Sequence, residues 1–189
     1  MANVYGDRAT SGIGEAIYVY VNTRSNVYEG QDNGYSITIK FKPEYTEKLK
    51  AQLDAFLEEI QKSEDGAKKK WSRNPVPGYS ELEDGSIVFK FKAKRKDKAG
   101  EWIKVPLVDS KNNVLDPMTS IGSGSSIRVM FTPAVYHNSS TNNGVTLYLE
   151  KIQIVNLVEY AGTSAGFDEV EGGFVAESKE DSFDELPNF

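Results

Sequence analysis

Strict alternation of apolar and polar residues marks two neighbouring segments in the first quarter of the chain. In IYVYV, Tyr18 and Tyr20 occupy the face opposite the aliphatic residues, and in YSITIKF the polar positions are Ser36, Thr38 and Lys40. A period of two is typical of a half-buried strand. The pattern therefore predicts two strands that pair across a long polar loop, with these five side chains directed outward.

The segments that flank these strands have a different pattern. Residues 1–16 are polar and glycine-rich without periodicity, which predicts an arm rather than a regular element. From Pro43 the apolar residues recur at helical spacing, and a proline followed by an acidic residue is typical of a helix N-terminus. We therefore predict one amphipathic helix over about residues 44–62, followed by a basic loop that contains Trp71 and Arg73.

A cationic stripe distinguishes the strand predicted in SIVFKFKAKRK. Lys90, Lys92, Lys94 and Lys96 recur with period two opposite an apolar face. Such lysines either bind a polyanion or protect an exposed sheet edge from aggregation, and the pattern alone leaves both interpretations open. The following segment, EWIKVPLVD, is predicted to be the hairpin partner of this strand, with Trp102 and Lys104 on one face.

Two further strands are predicted in the last third of the chain. IGSGSSIRVMF alternates and includes Arg128, and its glycines precede a strand rather than a helix, which argues against a phosphate-binding loop. In GVTLYLEKIQIV the alternation slips in phase near Glu150 and Lys151. A β-bulge that bends a long strand would produce this slip. Altogether, six or seven strands and one helix predict a small, mostly antiparallel barrel or curled sheet.

Charge divides the chain at residue 168. Residues 168–189 carry eight acidic residues and one lysine, a net charge of −7, whereas the other 167 residues carry 20 acidic and 21 basic residues. The last segment has too few apolar residues for a core and is predicted to be disordered. It is either a solubilising end, or a tethered polyanion that competes for a basic groove and offers Phe189 to a partner.

Composition argues against catalysis and against metal binding. The chain has no cysteine, and its single histidine, His137, lies in a polar stretch. We recognise no catalytic motif and no identifiable pair of acid and base residues, so we expect neither an enzyme nor a bound cofactor or metal. No apolar run is long enough to span a bilayer, and no signal peptide is recognisable, so a cytosolic protein is expected.

Basic and aromatic residues recur side by side, which is the composition of a surface that binds single-stranded nucleic acid. Lysine and arginine pair with phosphates, and aromatic rings stack on unpaired bases. The candidates are Tyr18, Tyr20, Lys40, Trp71, Arg73, Lys90, Lys92, Lys94, Trp102, Lys104, Arg128 and Tyr148. For each of the tyrosines, packing inside the barrel is the competing interpretation.

Several segments resemble the bacteriophage single-stranded DNA-binding proteins of the coliphage replication type. They are FKPEYTEKLKAQLDAFLEEI, PLVDSKNNVLD followed by IGSGSSIRVMFTP, GVTLYLEKIQIVNLVEY, and the acidic end that closes with Phe189. The resemblance covers most of the chain. It implies a mainly β fold, an OB-fold-like antiparallel barrel with the helix inserted, in which residues 1–167 bind single-stranded DNA and residues 168–189 form a disordered acidic tail.

The resemblance also implies a biological role. It is sequence-independent coating of single-stranded DNA in phage DNA replication, recombination and repair, in the cytoplasm of the infected bacterial host. The tail would contact replication proteins such as DNA polymerase and helicase through Asp181, Asp184, Glu185 and Phe189, and the chain could form a homodimer. This tail departs from an unbroken acidic run because glycine, alanine and lysine interrupt it, and it ends Leu-Pro-Asn-Phe.

Two alternatives remain from the residues alone. A non-catalytic protein-interaction or virion-associated β-barrel would use the lysines only for solubility, and an oligosaccharide-binding barrel would use the aromatic residues without the lysines. Binding to duplex DNA is disfavoured, because the single predicted helix is too acidic on its exposed face to lie in a groove.

Overall fold

The computed structural model describes residues 3–159, and the acidic segment 168–189 lies outside them. The described part contains one helix, α1 (Pro43–Lys62), and eleven strands. The strands are β1 (Val4–Tyr5), β2 (Ala9–Thr10), β3 (Gly14–Tyr20), β4 (Val27–Tyr28), β5 (Gln31–Asp32), β6 (Tyr35–Phe41), β7 (Tyr79–Glu81), β8 (Ile87–Ala93), β9 (Leu107–Val108), β10 (Ser126–His137) and β11 (Asn143–Asn156).

Five of these strands form a partly open barrel. Antiparallel pairing joins β3 to β6, β6 to β8 and β10 to β11, and β8 meets β11 in parallel. The parallel contact spans two residue pairs, and β10 returns to β3 through two more. A five-stranded, partly open Greek-key barrel is the architecture of an OB-fold. The predicted fold is therefore confirmed, except that its pairing includes parallel contacts.

Apolar residues on the inner faces of these strands form one core with the helix. Ile37, Ile39, Phe89 and Phe91 have no exposed surface, because the outer residues between them take the opposite face of the sheet. Helix α1 adds Leu49, Leu53 and Leu57, all buried at helical spacing. The helix and the two strands β3 and β6 are thus where the sequence pattern places them.

Two predictions about the outer parts of the sheet are wrong. Residues 1–16 are more than an arm: β1 and β2 pair with β10, and β3 begins at Gly14. The segment from Trp102 is not a hairpin partner of β8: Trp102 bridges Lys96, which follows β8, and β9 then pairs in parallel with β11. Ser36 and Thr38 point outward as predicted, but they are buried (3% and 7% exposed).

The predicted bulge lies at Glu150. Met130 of β10 faces Lys151 and Phe131 faces Leu149, so Glu150 is the extra residue on β11. The bend lets the first half of β11 pair with β8 and the second half with β9. The slip in hydrophobic phase thus indicated the bulge correctly.

No helix within residues 3–159 is long and apolar enough to cross a membrane.

Candidate nucleic-acid interface

One row of residues crosses the outer face of the barrel. The strand registers place Tyr20 opposite Ser36, Ser36 opposite Lys92, and Lys92 opposite Tyr148. Residues in register project from the same face of a sheet. The alternation of four separate strands therefore brings two tyrosines and a lysine onto one surface.

Three lysines at the centre of this surface, Lys90, Lys92 and Lys94, form what we call the lysine ridge. Lys92 is half-buried, and the other two are exposed. Within residues 3–159 none of the three forms a hydrogen bond or an ion pair. Burial, and then the positive charges of Lys94 and Lys90, lower the pKa of the Lys92 ammonium. Such a cluster is stabilised when an anion approaches it.

Three adjoining depressions share Lys92 and Lys94, and together they form one groove. The largest, about 650 Å³, is also lined by Tyr5, Tyr148 and Ile103. The rings of Tyr5 and Tyr148 lie 5.8 Å apart, and the side-chain amide of Asn3 donates to the Tyr148 hydroxyl at 2.8 Å. This wall of the groove offers ring faces beside the lysine ridge.

The opposite wall is the β4–β5 hairpin, residues 26–33. Its Tyr28, which is 67% exposed, lines a depression of about 280 Å³ together with all three lysines of the ridge. The two strands of the hairpin pair only with each other among the described residues. Aromatic residues thus flank the lysine ridge on both sides.

Glu150 is an acidic residue inside this otherwise cationic groove. Its carboxylate accepts a hydrogen bond from Thr132 Oγ1 at 2.5 Å and forms an ion pair with Arg8 Nε at 2.6 Å. Arg8 follows β1, so the pair ties the N-terminal segment to the bulge of β11. The positive charge of Arg8 therefore balances the negative charge of the Glu150 carboxylate.

Seven of the predicted DNA-binding residues lie on or beside this surface. They are Tyr18, Tyr20, Lys90, Lys92, Lys94, Lys104 and Tyr148. Tyr18 is 53% exposed and stands opposite Thr38, one row from the ridge. Lys104 lines the largest depression, where its ammonium donates to the Asn22 carbonyl at 2.5 Å and to the Tyr35 hydroxyl at 3.0 Å.

The structure places the other five candidates elsewhere or engages them in internal contacts. Lys40 donates to Ser86 Oγ at 2.6 Å and pairs with Asp84, at the end of β6 away from the groove. Arg128 lies beyond the bulge, where its Nε donates to the Ser11 carbonyl at 3.2 Å. Arg73 is exposed in the loop between α1 and β7.

The two tryptophans both make structural contacts. Trp71 Nε1 donates to the Gly66 carbonyl at 3.0 Å, and its ring packs edge-on against His137, 4.9 Å between centroids. Trp102 Nε1 donates to Asp32 Oδ2 at 2.7 Å, so it links the strand segment after β8 to the β4–β5 hairpin. Neither tryptophan is among the residues that line the three depressions.

Residues that sequence analysis missed also line the groove. They are Asn3, Tyr5, Arg8, Tyr28, Arg95 and Tyr136. Tyr5 and Tyr28 lie in polar stretches without periodicity, so only the presence of an isolated tyrosine among polar residues could have indicated them. Such a tyrosine has no core to enter and is exposed by default.

Within residues 3–159, no group of histidine, cysteine, aspartate and glutamate side chains is arranged to hold a metal ion.

The sequence of the chain matches a family of known proteins. The family model described as "Single-stranded DNA-binding protein, Bacteriophage T7" matches residues 31–157, more than half of the chain. The chain belongs to this family. The family's description names binding to single-stranded DNA.

Two curated relatives carry the name single-stranded DNA-binding protein. The one from Enterobacteria phage T3 is 33% identical over 111 residues, which cover 54% of this chain and 48% of that protein. The one from Escherichia phage T7 is 34% identical over 101 residues, which cover 49% of this chain and 44% of that protein. The chain thus spans about half the length of the curated relatives it matches.

Solved structures share the fold. The crystal structure of gp2.5, a single-stranded DNA-binding protein encoded by bacteriophage T7, matches with a TM-score of 0.63 and 23% identity, over 92% of this chain and all of that chain. The single-stranded DNA-binding protein of bacteriophage Enc34, solved in complex with single-stranded DNA, matches with a TM-score of 0.59 and 13% identity, over 82% of this chain and 89% of that chain. These likenesses agree with the OB-fold deduced from the strand pairing.

Proposed function

We propose that this chain binds single-stranded DNA, independently of sequence, in the groove over β6, β8 and β11. The observation that carries the proposal is the lysine ridge: three lysines without an acidic partner in the described chain, flanked by Tyr148 and Tyr5 on one side and Tyr28 on the other. The lysines would neutralise phosphates, and the rings would stack on unpaired bases.

The family supports the same proposal. Its matching model and both curated relatives are described by single-stranded DNA binding. From this membership we infer a role in phage DNA replication, recombination and repair, in the cytoplasm of the infected bacterium. Stacking does not select a base, because every base has a ring face, so the binding is expected to be insensitive to sequence.

The acidic segment 168–189 completes the proposal. Its net charge of −7 would compete with DNA for the lysine ridge when it is not engaged elsewhere. Asp181, Asp184, Glu185 and Phe189 would then bind a replication protein such as a polymerase or helicase once DNA displaces the segment. A homodimer is compatible with this proposal, since DNA binding requires only that the dimer interface leaves the groove open.

Fluorescence titration tests the function directly. Oligo-dT is titrated with the chain lacking residues 168–189, at about 50 mM and about 200 mM salt. We expect tight binding at the lower concentration and a steep loss at the higher one, because phosphate contacts release counterions. Absence of binding at low salt would overturn the proposal. In that event, the formation of defined assemblies without DNA would favour a protein-interaction barrel instead.

A further inference from the structure

The β4–β5 hairpin forms a wall of the groove, yet few contacts hold it there. At its base Asn26 N donates to Gly34 O and Asn33 N donates to Asn26 O, both at 2.8 Å. Val27 and Tyr28 are 61% and 67% exposed. Neither side chain takes part in the hydrophobic core. A two-stranded hairpin without a core is marginally stable by itself.

Side chains outside the hairpin bond to it: Ser36 Oγ accepts from Asn26 Nδ2 at 3.4 Å, and Trp102 makes the shorter contact. Its indole N–H donates to Asp32 Oδ2 at 2.7 Å, while the backbone N–H of Gly34 donates to Asp32 Oδ1 at 3.0 Å. The two bonds occupy both oxygens of one carboxylate. The hydrogen bond from Trp102, and after it the one from Gly34, lower the pKa of Asp32, because both donors favour the carboxylate form.

Two further neighbours contact the indole ring. The ammonium of Lys96 lies 4.4 Å from the ring centroid, within the range of a cation–π interaction. The second neighbour is Gly34, whose φ is +75° and whose missing Cβ would lie 3.0 Å from the Ala93 carbonyl and 3.2 Å from the Trp102 ring. Only glycine fits this junction without strain. Trp102 therefore joins the hairpin to the segment that continues from the lysine ridge.

We propose that Trp102 is a positioning residue, whose hydrogen bond to Asp32 holds the β4–β5 hairpin so that Tyr28 can stack on a base bound beside the lysine ridge. This inference rests on the proposed function and adds to it the contact that orients Tyr28. Trp102 itself, a candidate for stacking on sequence grounds, acts through the hairpin.

Removal of Asp32 distinguishes this role from simple electrostatics. Asp32 is an acidic residue of the hairpin that forms a wall of the cationic groove, and its charge interacts with that of Lys96, so Asp32→Ala should tighten DNA binding if charge alone matters. If the carboxylate positions Tyr28, the same substitution weakens binding, by about 3- to 10-fold, as for the loss of one hydrogen bond of ordinary strength. Glu29→Gln is the matched control: it removes an acid from the same hairpin without touching the bond to Trp102.

The test is an oligo-dT titration of the full chain and of the chain lacking residues 168–189, each in five forms. They are the unsubstituted protein, Asp32→Ala, Trp102→Phe, Glu29→Gln and Tyr28→Ala. We expect Asp32→Ala and Trp102→Phe to weaken binding to a similar extent, Glu29→Gln to leave it unchanged or tighter, and Tyr28→Ala to weaken it at least as much as Asp32→Ala. Thermal unfolding of each variant verifies that the barrel is intact.

A double substitution separates positioning from a general structural effect. If Asp32 acts only by orienting Tyr28, then Asp32→Ala has no further effect on affinity in the Tyr28→Ala background. An equal loss in both backgrounds would overturn the inference, as would tighter or unchanged binding by Asp32→Ala alone, and in each case the proposed function would stand. Failure of the unsubstituted protein to bind would overturn the proposed function itself.

Discussion

Lys92 of β8 lies directly opposite Tyr148 of β11, in the short parallel contact between these two strands. A phosphate-binding group and a stacking surface are thereby neighbours on one face, although they lie far apart in sequence. The half-buried ammonium has a lowered pKa, and the ring is held by Tyr5 and by a hydrogen bond from Asn3. A nucleotide placed here would contact both residues at once.

Substitution of Tyr148 tests the stacking half of this pair. We expect Tyr148→Ala to weaken oligo-dT binding by about 1–3 kcal/mol, the usual value of one stacked base. Tyr148→Phe keeps the ring and loses only the bond from Asn3, so most of the affinity should remain. Equal losses in both variants, measured by fluorescence anisotropy, would show that the hydroxyl rather than the ring face is what DNA needs.

The lowered pKa of Lys92 predicts a pH dependence of binding. In the free protein Lys92 loses its proton below the ordinary lysine value of 10.5, and a bound phosphate would restore it. Affinity is therefore expected to be constant below the lowered pKa and to fall as the pH rises from there towards 10.5. The measurement is oligo-dT affinity across this range. Lys92→Gln should bind more weakly at every pH and should lack the fall in affinity that deprotonation of Lys92 causes. pH profiles of the same shape for both proteins would contradict the prediction.

Gly144 predicts an effect on folding stability. It has φ +144°, and a Cβ there would lie 2.2 Å from the Val76 carbonyl oxygen, in the backbone pairing that closes the loop before β7 onto β11. Gly144→Ala should thus lower the free energy of unfolding by more than about 2 kcal/mol. Gly100→Ala is the control, since Gly100 also has a positive φ but a Cβ added to it would meet no atom within 4 Å. It should cost only about 1–2 kcal/mol, and equal costs in denaturant unfolding would contradict the argument.

Deletion of residues 168–189 should tighten DNA binding. The deletion removes a net charge of −7 that would otherwise compete with phosphates. The gain is expected to be largest at low salt and to fade as ions screen the interaction. Unchanged affinity at low salt would mean that the segment does not compete with DNA and that partner binding is its remaining role. A pull-down with a replication protein would then test that role.

Much of the fold follows from the sequence because its signals are local. Alternation located β3, β6, β8 and β10, helical spacing located α1, and a phase slip located the bulge at Glu150. The pairing between distant strands is not local, so the sequence could not show that β9 pairs with β11 or that the N-terminal segment pairs with β10.

The groove was only partly predictable for the same reason. Period two identified the lysine ridge, since Lys90 and Lys92 lie on β8 and Lys94 follows directly after it. Their partnership with Tyr148 depends on a parallel contact, and the contribution of Tyr28 depends on a hairpin in a polar loop without periodicity. Trp71 is a candidate because it lies in a basic loop, and Trp102 because it shares a predicted strand face with Lys104, but each indole N–H is bonded within the protein.

The salt dependence of binding by a lysine-ridge variant tests the central claim most directly. In the chain lacking residues 168–189, Lys90, Lys92 and Lys94 are all replaced by glutamine, and Lys48→Gln, an exposed lysine on α1, is the control. For a single strand the slope of log K against log salt has a magnitude of about 0.7 per neutralised phosphate. The slope of the triple variant should therefore be smaller in magnitude by about 2, whereas the control should keep the original slope. A triple variant with an unchanged slope would contradict the claim that DNA binds along the lysine ridge.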